Sequence, residues 1–191
     1  MRIERAFFER DTLTVARDLI GQVLVRNSPE GITKGIIVET EAYMGDKDAA
    51  AHSYKRKTDR VRVQFGPKGV AYIYLIYGMY HCLNITSGAE GLPEVILIRA
   101  IEPVDGIEIM KSRRKTDKLK NLCSGPGKLC RAMDIDMNYY GADLCKGNEL
   151  YIEYGEKAEW EASKRINIDY AGEAADYLWR FTKKGSPFVS K

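Results

Sequence analysis

The apolar and polar positions of the chain divide it into short elements of both kinds. Val15, Ala16, Leu19 and Ile20 recur at helical spacing behind Asp11, a residue that can cap a helix, and Gly21 closes the stretch. Strands are predicted at 22–26 and 35–43, separated by the turn Ser28-Pro29-Glu30-Gly31. Val70 to Ile76 and Tyr80 to Thr86 flank Tyr77-Gly78-Met79 and read as a hairpin with Tyr77 at its tip. Glu94 to Ala100 is almost continuously apolar, the mark of a central strand. Asp105 is placed to cap a helix over 106–115. Ser124-Gly125-Pro126-Gly127 opens another to about Met133, with Pro126 in its first turn. Short strands are predicted at 150–154 and 165–169, and a helix at 172–179. The polar stretch 44–69 reads as a long loop, and long loops inside compact domains usually carry function.

No repeat, linker or low-complexity tract interrupts this pattern, so the expectation is a single compact α+β domain over residues 1–191. The four Cys form no C-x-x-C pair, and with two His they make no zinc pattern, so neither metal nor cofactor is expected. No leader and no run long enough to span a bilayer is visible, which makes a cytoplasmic location the default. A net charge of +3 permits a polyanionic partner without requiring one. The cations are bunched, however. Lys55, Arg56, Lys57, Arg60 and Arg62 form one cluster, and Lys111, Arg113, Arg114, Lys115, Lys118 and Lys120 a second.

Candidate chemistry starts at Glu39-Thr40-Glu41-Ala42-Tyr43. On a strand Glu39, Glu41 and Tyr43 share one face and Val38, Thr40 and Ala42 the other. Two carboxylates on an otherwise apolar strand need a partner or a task. Arg99, at the end of the apolar run, is a natural partner, either as a structural ion pair or as a group that orients Glu41 as a general base. Tyr72, Tyr74, Tyr77 and Tyr80 add aromatic surface, and the chain holds 12 Tyr in all. Any one of them packs well in a strand, but a cluster beside a carboxylate can stack on nucleobases. A ring at a hairpin tip can wedge into a duplex. Asn84 shares a face with Tyr80 and Cys82. Ser124 and Gly125 offer free amides at a helix start with Lys128 nearby, an arrangement that suits a phosphate, although the P-loop pattern is absent.

These residues resemble, in order along nearly the whole chain, the alkyladenine (3-methyladenine) DNA glycosylase family. The matching stretches include Ala16-Arg17-Asp18-Leu19-Ile20-Gly21, Val38-Glu39-Thr40-Glu41-Ala42-Tyr43, Ala51-His52-Ser53, Tyr72 through Asn84, Arg99-Ala100-Ile101-Glu102-Pro103 and Ser124-Gly125-Pro126-Gly127-Lys128-Leu129. The resemblance implies a curved antiparallel sheet with flanking helices. It also implies base-excision repair of damaged double-stranded DNA by a monomer without lyase activity. Glu41 would activate the attacking water and Arg99 would help hold it. Tyr43 and His52 would line one side of an extruded purine and Tyr74 the other, with Asn84 crowding normal guanine. Tyr77 would fill the gap in the duplex. Ser124, Gly125 and Lys128 would touch the backbone.

One loop departs from the family's usual Thr-Pro-Arg-Asn and Met-Phe: Asp59, Val61 and Gln64 stand in place of Pro, Asn and Met. Two rival readings use the same residues, a hydrolase of free nucleosides and a module that binds damaged DNA without cutting it. An exposed Tyr77 and the basic clusters argue against the first, and the Glu41–Arg99 pair against the second.

Overall fold

The computed structural model describes residues 1–190. Its centre is an open antiparallel sheet of eight strands. The strands are β1 (Val23–Ser28), β2 (Gly31–Tyr43), β3 (Ala71–Ile76), β4 (Tyr80–Ser87), β5 (Glu94–Asp105), β6 (Leu150–Glu153), β7 (Trp160–Ser163) and β8 (Arg180–Lys183). The main path runs β3-β4-β5-β2-β1-β6. Strand β2 is the spine: β5 follows one of its edges from Lys34 to Tyr43, while β1 and then β8 share the other. Four short α-helices complete the fold: α1 (Arg5–Phe8), α2 (Thr12–Asp18), α3 (Ile107–Arg114) and α4 (Pro126–Met133).

The pleat sorts side chains into two sets. Ala71 and Ile73 of β3, Leu83 and Ile85 of β4, and Ile96 and Ile98 of β5 join Val15, Ala16, Met110, Leu129 and Met133 of the helices in one apolar core. Tyr72, Tyr74, Cys82, Asn84, Val95, Leu97 and Arg99, one step out of phase, line a cavity on the other face. Two bulges keep this sorting intact where β2 meets β5. The register passes from Ile37↔Ile101 to Glu39↔Ala100 and then to Thr40↔Ile98, leaving Val38 and Arg99 as extra residues on their strands. As a result Ile37 and Ala42 both reach the core despite their odd and even positions. A bulge re-aims the side chains beside it.

Most elements match the periodicity reading, with the following exceptions. Asp105 is not the cap of α3; the N-cap is Gly106, and Asp105 only accepts a bond from the Gly106 amide at 2.8 Å. Residues 165–169 form no strand, because Arg165 is drawn inward as a buried cation. The helix expected over 172–179 is a 3-10 segment, Asp169–Asp176, broken where Gly172 leaves helical geometry. Strands β7 and β8 and helix α1 were not visible in the pattern; β7 is almost entirely exposed and so carries no apolar alternation.

Gly21 shows how tightly α2 is tied to the sheet. Its φ is +94°, and a Cβ there would lie 2.1 Å from the Glu156 carbonyl oxygen. Gly21→Ala is therefore expected to lose about 2–5 kcal/mol, from backbone strain and overpacking together. Gly78→Ala, where a Cβ meets open space, is expected to lose about 1 kcal/mol from strain alone. Urea denaturation midpoints of the two variants check the contrast.

Candidate functional site

A cavity of about 820 Å³ opens on the face of the sheet away from the main core. It is lined by β2 to β5, by residues from 50–64 and 166–170, by the β3–β4 hairpin and by the start of α4. Of the residues expected at a site, Tyr43, His52, Tyr74, Tyr77, Asn84, Arg99, Ser124, Gly125 and Lys128 all line it. Glu41 does not. Its side chain is fully buried directly behind the wall, in contact with Tyr43, Arg99 and Ile166, which do line the cavity.

Glu41 is held by three donors. Oε2 accepts from the Tyr43 hydroxyl at 2.9 Å and from Arg99 Nη1 at 3.2 Å, and Oε1 accepts from the Ile166 amide at 2.8 Å. Arg99 also donates through Nε to Glu39 Oε1 at 3.0 Å, so the one guanidinium joins both carboxylates. Glu39 accepts in addition from Arg180 Nε at 2.7 Å, from the Ser190 amide at 2.6 Å and from the Ser190 hydroxyl at 2.8 Å. Two acids and two guanidiniums thus share one buried network, the arrangement that offsets the cost of desolvating each. Burial and the neighbouring Glu41 carboxylate raise the Tyr43 pKa well above its ordinary value, so the phenol keeps its proton and donates it.

Behind Tyr43 lies a second buried pair. Arg165 grips Asp48 through Nη1 at 2.5 Å and Nη2 at 2.9 Å, with both side chains shut off from solvent, and its guanidinium carbon is 4.7 Å from the Tyr43 ring centroid. Asp48 also accepts from the amides of Met44 and Ala50, which pins the start of the 44–69 segment. That segment is therefore a folded wall, with 3-10 turns at Gly45–Lys47 and Asp59–Phe65, and not a structureless loop.

His52 stands against Tyr74 and not across from it. Their rings meet edge to face with centroids 4.5 Å apart, and His52 Nδ1 bonds the Tyr72 hydroxyl at 2.9 Å. A base sandwiched between rings needs about 7 Å, twice a normal carbon–carbon contact. His52 and Tyr74 leave no such gap between them. Although His52 opens onto the cavity, the surrounding walls desolvate the imidazole, and with Arg60 nearby its pKa falls to about 4. Asn84 donates to the Tyr72 and Cys82 carbonyls at 3.2 and 3.4 Å, which fixes its side chain on the cavity wall.

The hairpin tip carries Tyr77 at 78% exposure and Met79 at 67%. Tyr77 and Gly78 both have positive φ, +53° and +67°, and the Met79 amide closes the turn on the Ile76 carbonyl. Left-handed backbone is uncommon for a Tyr, so its ring is displayed at some conformational cost. Around the mouth stand Arg60, Arg114, Lys128 and Arg131. None of the four has a carboxylate partner among the described residues, whereas Lys111 and Arg113 of the second basic cluster pair with Glu108 and Glu30. The helix start at Gly125 has no side-chain cap. Sequence reasoning missed Arg131, Ser190, Asp48 and Arg165 as parts of this site. Among the described residues, no group of His, Cys, Asp and Glu is arranged to hold a metal ion, and no helix is long and apolar enough to cross a membrane.

A depressed His pKa has a definite sign in solution. Folded His52 binds a proton less readily than the unfolded residue, whose pKa is about 6.5. Its contribution to stability is thus complete above about pH 6.5 and is lost as pH falls toward about 4. An NMR titration is expected to give His52 a midpoint near 4, moving upward in Arg60→Gln; a midpoint near 6.5 in the wild type would contradict this packing.

Comparison with known proteins bears on the same residues. The family model described as Methylpurine-DNA glycosylase (MPG) matches residues 6–187. A protein of Bacillus cereus (strain G9842) is 53% identical over 206 residues, covering 100% of both chains. One from Methanocella arvoryzae is 52% identical over 191 residues, covering 99% of this chain and 96% of that protein. One from Clostridium tetani is 50% identical over 203 residues, covering 100% of both. All three carry the name "Putative 3-methyladenine DNA glycosylase".

Proposed function

Because the chain belongs to the methylpurine-DNA glycosylase family, hydrolases of the N-glycosyl bond that act in DNA repair, we propose that it extrudes an alkylated or deaminated purine from duplex DNA and cuts its glycosidic bond with a water activated by Glu41. The observation that carries this reading is the buried Glu41 carboxylate, set behind an aromatic cavity whose mouth is ringed by unpaired cations.

The reacting bond is hidden in a duplex, so the nucleotide must first rotate out. Arg60, Arg114, Lys128 and Arg131, with the amides at Ser124 and Gly125, suit the phosphates on either side, and Tyr77 suits the space the nucleotide leaves. Entry of the purine parts the closed rings, and Tyr43 restacks on the base. Its hydroxyl then leaves Glu41 Oε2, and a water takes that place while Arg99 and the Ile166 amide keep the carboxylate aimed. The water oxygen bonds to C1′, its proton passes to Glu41, and the glycosidic electron pair departs with the base. Alkylation at N3 or N7 makes the purine cationic, which improves it as a leaving group and favours stacking on electron-rich rings. A His52 kept neutral near pH 7 adds no like charge beside such a base, and by the same token supplies no proton to a neutral one. Free base and an abasic site result, with no amine nucleophile involved and hence no strand cleavage. In this reading residues 1–191 work as a single domain and as a monomer.

Glu41→Gln is expected to lower base release from methylated duplex by about 10²–10⁴-fold. Binding of the duplex should stay within about threefold, because the change leaves the phosphate contacts alone. Single-turnover rates and gel-shift titrations, run with and without chelator, check both; undiminished release would exclude Glu41 as the base. Tyr77→Asn replaces a strained residue by one that accepts left-handed backbone, so its melting temperature should hold or rise. Release from duplex should nonetheless fall by about 5–100-fold, the worth of one lost stacking contact, with single-stranded substrate little affected. Equal loss on both substrates would mean that Tyr77 is no wedge.

A further inference from the structure

On the cavity wall one buried polar side chain has an acceptor without a partner among the described residues. Gln64 is 1% exposed and lines the cavity, yet its Oε1 has no hydrogen-bond partner among the described residues. Other polar side chains of the cavity have protein partners. Asn84 serves two backbone carbonyls, His52 Nδ1 and the Tyr72 hydroxyl serve each other, and the Tyr43 hydroxyl serves Glu41. A buried amide oxygen without a partner calls for an explanation, and a missing ligand is one.

The backbone beneath this amide is held firmly. Gln64 sits on the 3-10 turn Asp59–Phe65, whose Val61 is buried against Tyr72 and Val95 with Tyr43 alongside. Lys68, itself 1% exposed, donates its ammonium to the Gln64 carbonyl at 3.0 Å and to the Leu92 carbonyl at 2.6 Å. The carboxamide thus stands on a firmly held turn that packs beside Tyr72 and Tyr43. Rings there take the faces of a bound base, and only the base's edge is left for a polar side chain.

Resting on the glycosylase reading above, we propose that Gln64 reads the edge of the extruded base and selects adenine-type lesions that keep a free 6-amino group. A carboxamide presents an acceptor beside a donor. The 6-amino group of adenine is a donor flanked on either side by a ring nitrogen acceptor, N1 or N7, so a glutamine matches it from both directions. 3-Methyladenine keeps this pattern. In 1,N6-ethenoadenine the bridge removes every N–H at position 6, and Oε1 would stay unpaired on either edge.

Gln64→Met conserves volume and removes both hydrogen-bonding atoms. The test compares wild type and variant on methylated duplex, read as released 3-methyladenine, and on duplex containing ethenoadenine, read both as release and as competition against 3-methyladenine release. Met is the residue the family usually carries here, so release of 3-methyladenine is expected to persist, while its preference over ethenoadenine, read as the ratio of the two release rates and by competition, falls by about 10–100-fold, two ordinary hydrogen bonds' worth. An unchanged ratio, whether both rates hold or fall together, would overturn the role of Gln64 and leave the glycosylase reading standing. A wild-type protein that releases no base from either duplex would overturn that reading itself.

Discussion

The site depends on one guanidinium shared by two buried carboxylates. Arg99 reaches Glu39 and Glu41 at once, and Arg180 completes the charge balance on Glu39. Any of these charges alone in such a place would be strongly destabilising. Together they form a rigid polar core beneath the cavity floor, with the carboxylate of Glu41 turned toward Tyr43 and the amide of Ile166. The paired bulges at Val38 and Arg99 make the meeting possible, because they set the phase of both strands so that the acids and the guanidinium leave the same face.

Above this floor the walls are of a different character. They are aromatic rings linked by few and local bonds: Tyr43 to Glu41, His52 to Tyr72, His52 edge-on to Tyr74. Each of these links is a single bond or a ring edge, whereas the ion network cannot loosen without leaving a charge unpaired. A tightly bonded ion network thus lies beneath a wall of aromatic rings with fewer bonds, and the network is the fixed part. The Asp48–Arg165 pair extends the fixed part behind Tyr43, and Lys68 extends it under Gln64.

Much of this was legible in the chain. The alternation Glu39, Glu41, Tyr43 assigned one face to the acids, and the isolated Arg99 in an apolar run pointed to them as partners. Tyr72, Tyr74 and Asn84 fell on their cavity positions by the same two-residue period, and Tyr77 on an exposed tip. What escaped notice came from far along the chain. Arg180 and Ser190 reach Glu39 across 141 and 151 residues, and their segments are too short and too polar to carry a period. Arg165 looked like part of a strand because nothing local marks an arginine destined for the interior. The closure of His52 onto Tyr74 depends on the packing of a loop whose residues name no partner.

The order of residues by itself determined which side chains are candidates for the chemistry and which face of each strand they occupy, because side-chain direction in a strand is a local property with a period of two. It also determined family membership, since the matching stretches run in order through nearly the whole chain. Only the tertiary structure decided that Glu41 lies behind the cavity wall and not on it, which cations at the mouth remain unpaired, and that the Gln64 amide is left without a partner. Burial and pairing are set by what arrives from elsewhere in the chain, and no local pattern records the arrival.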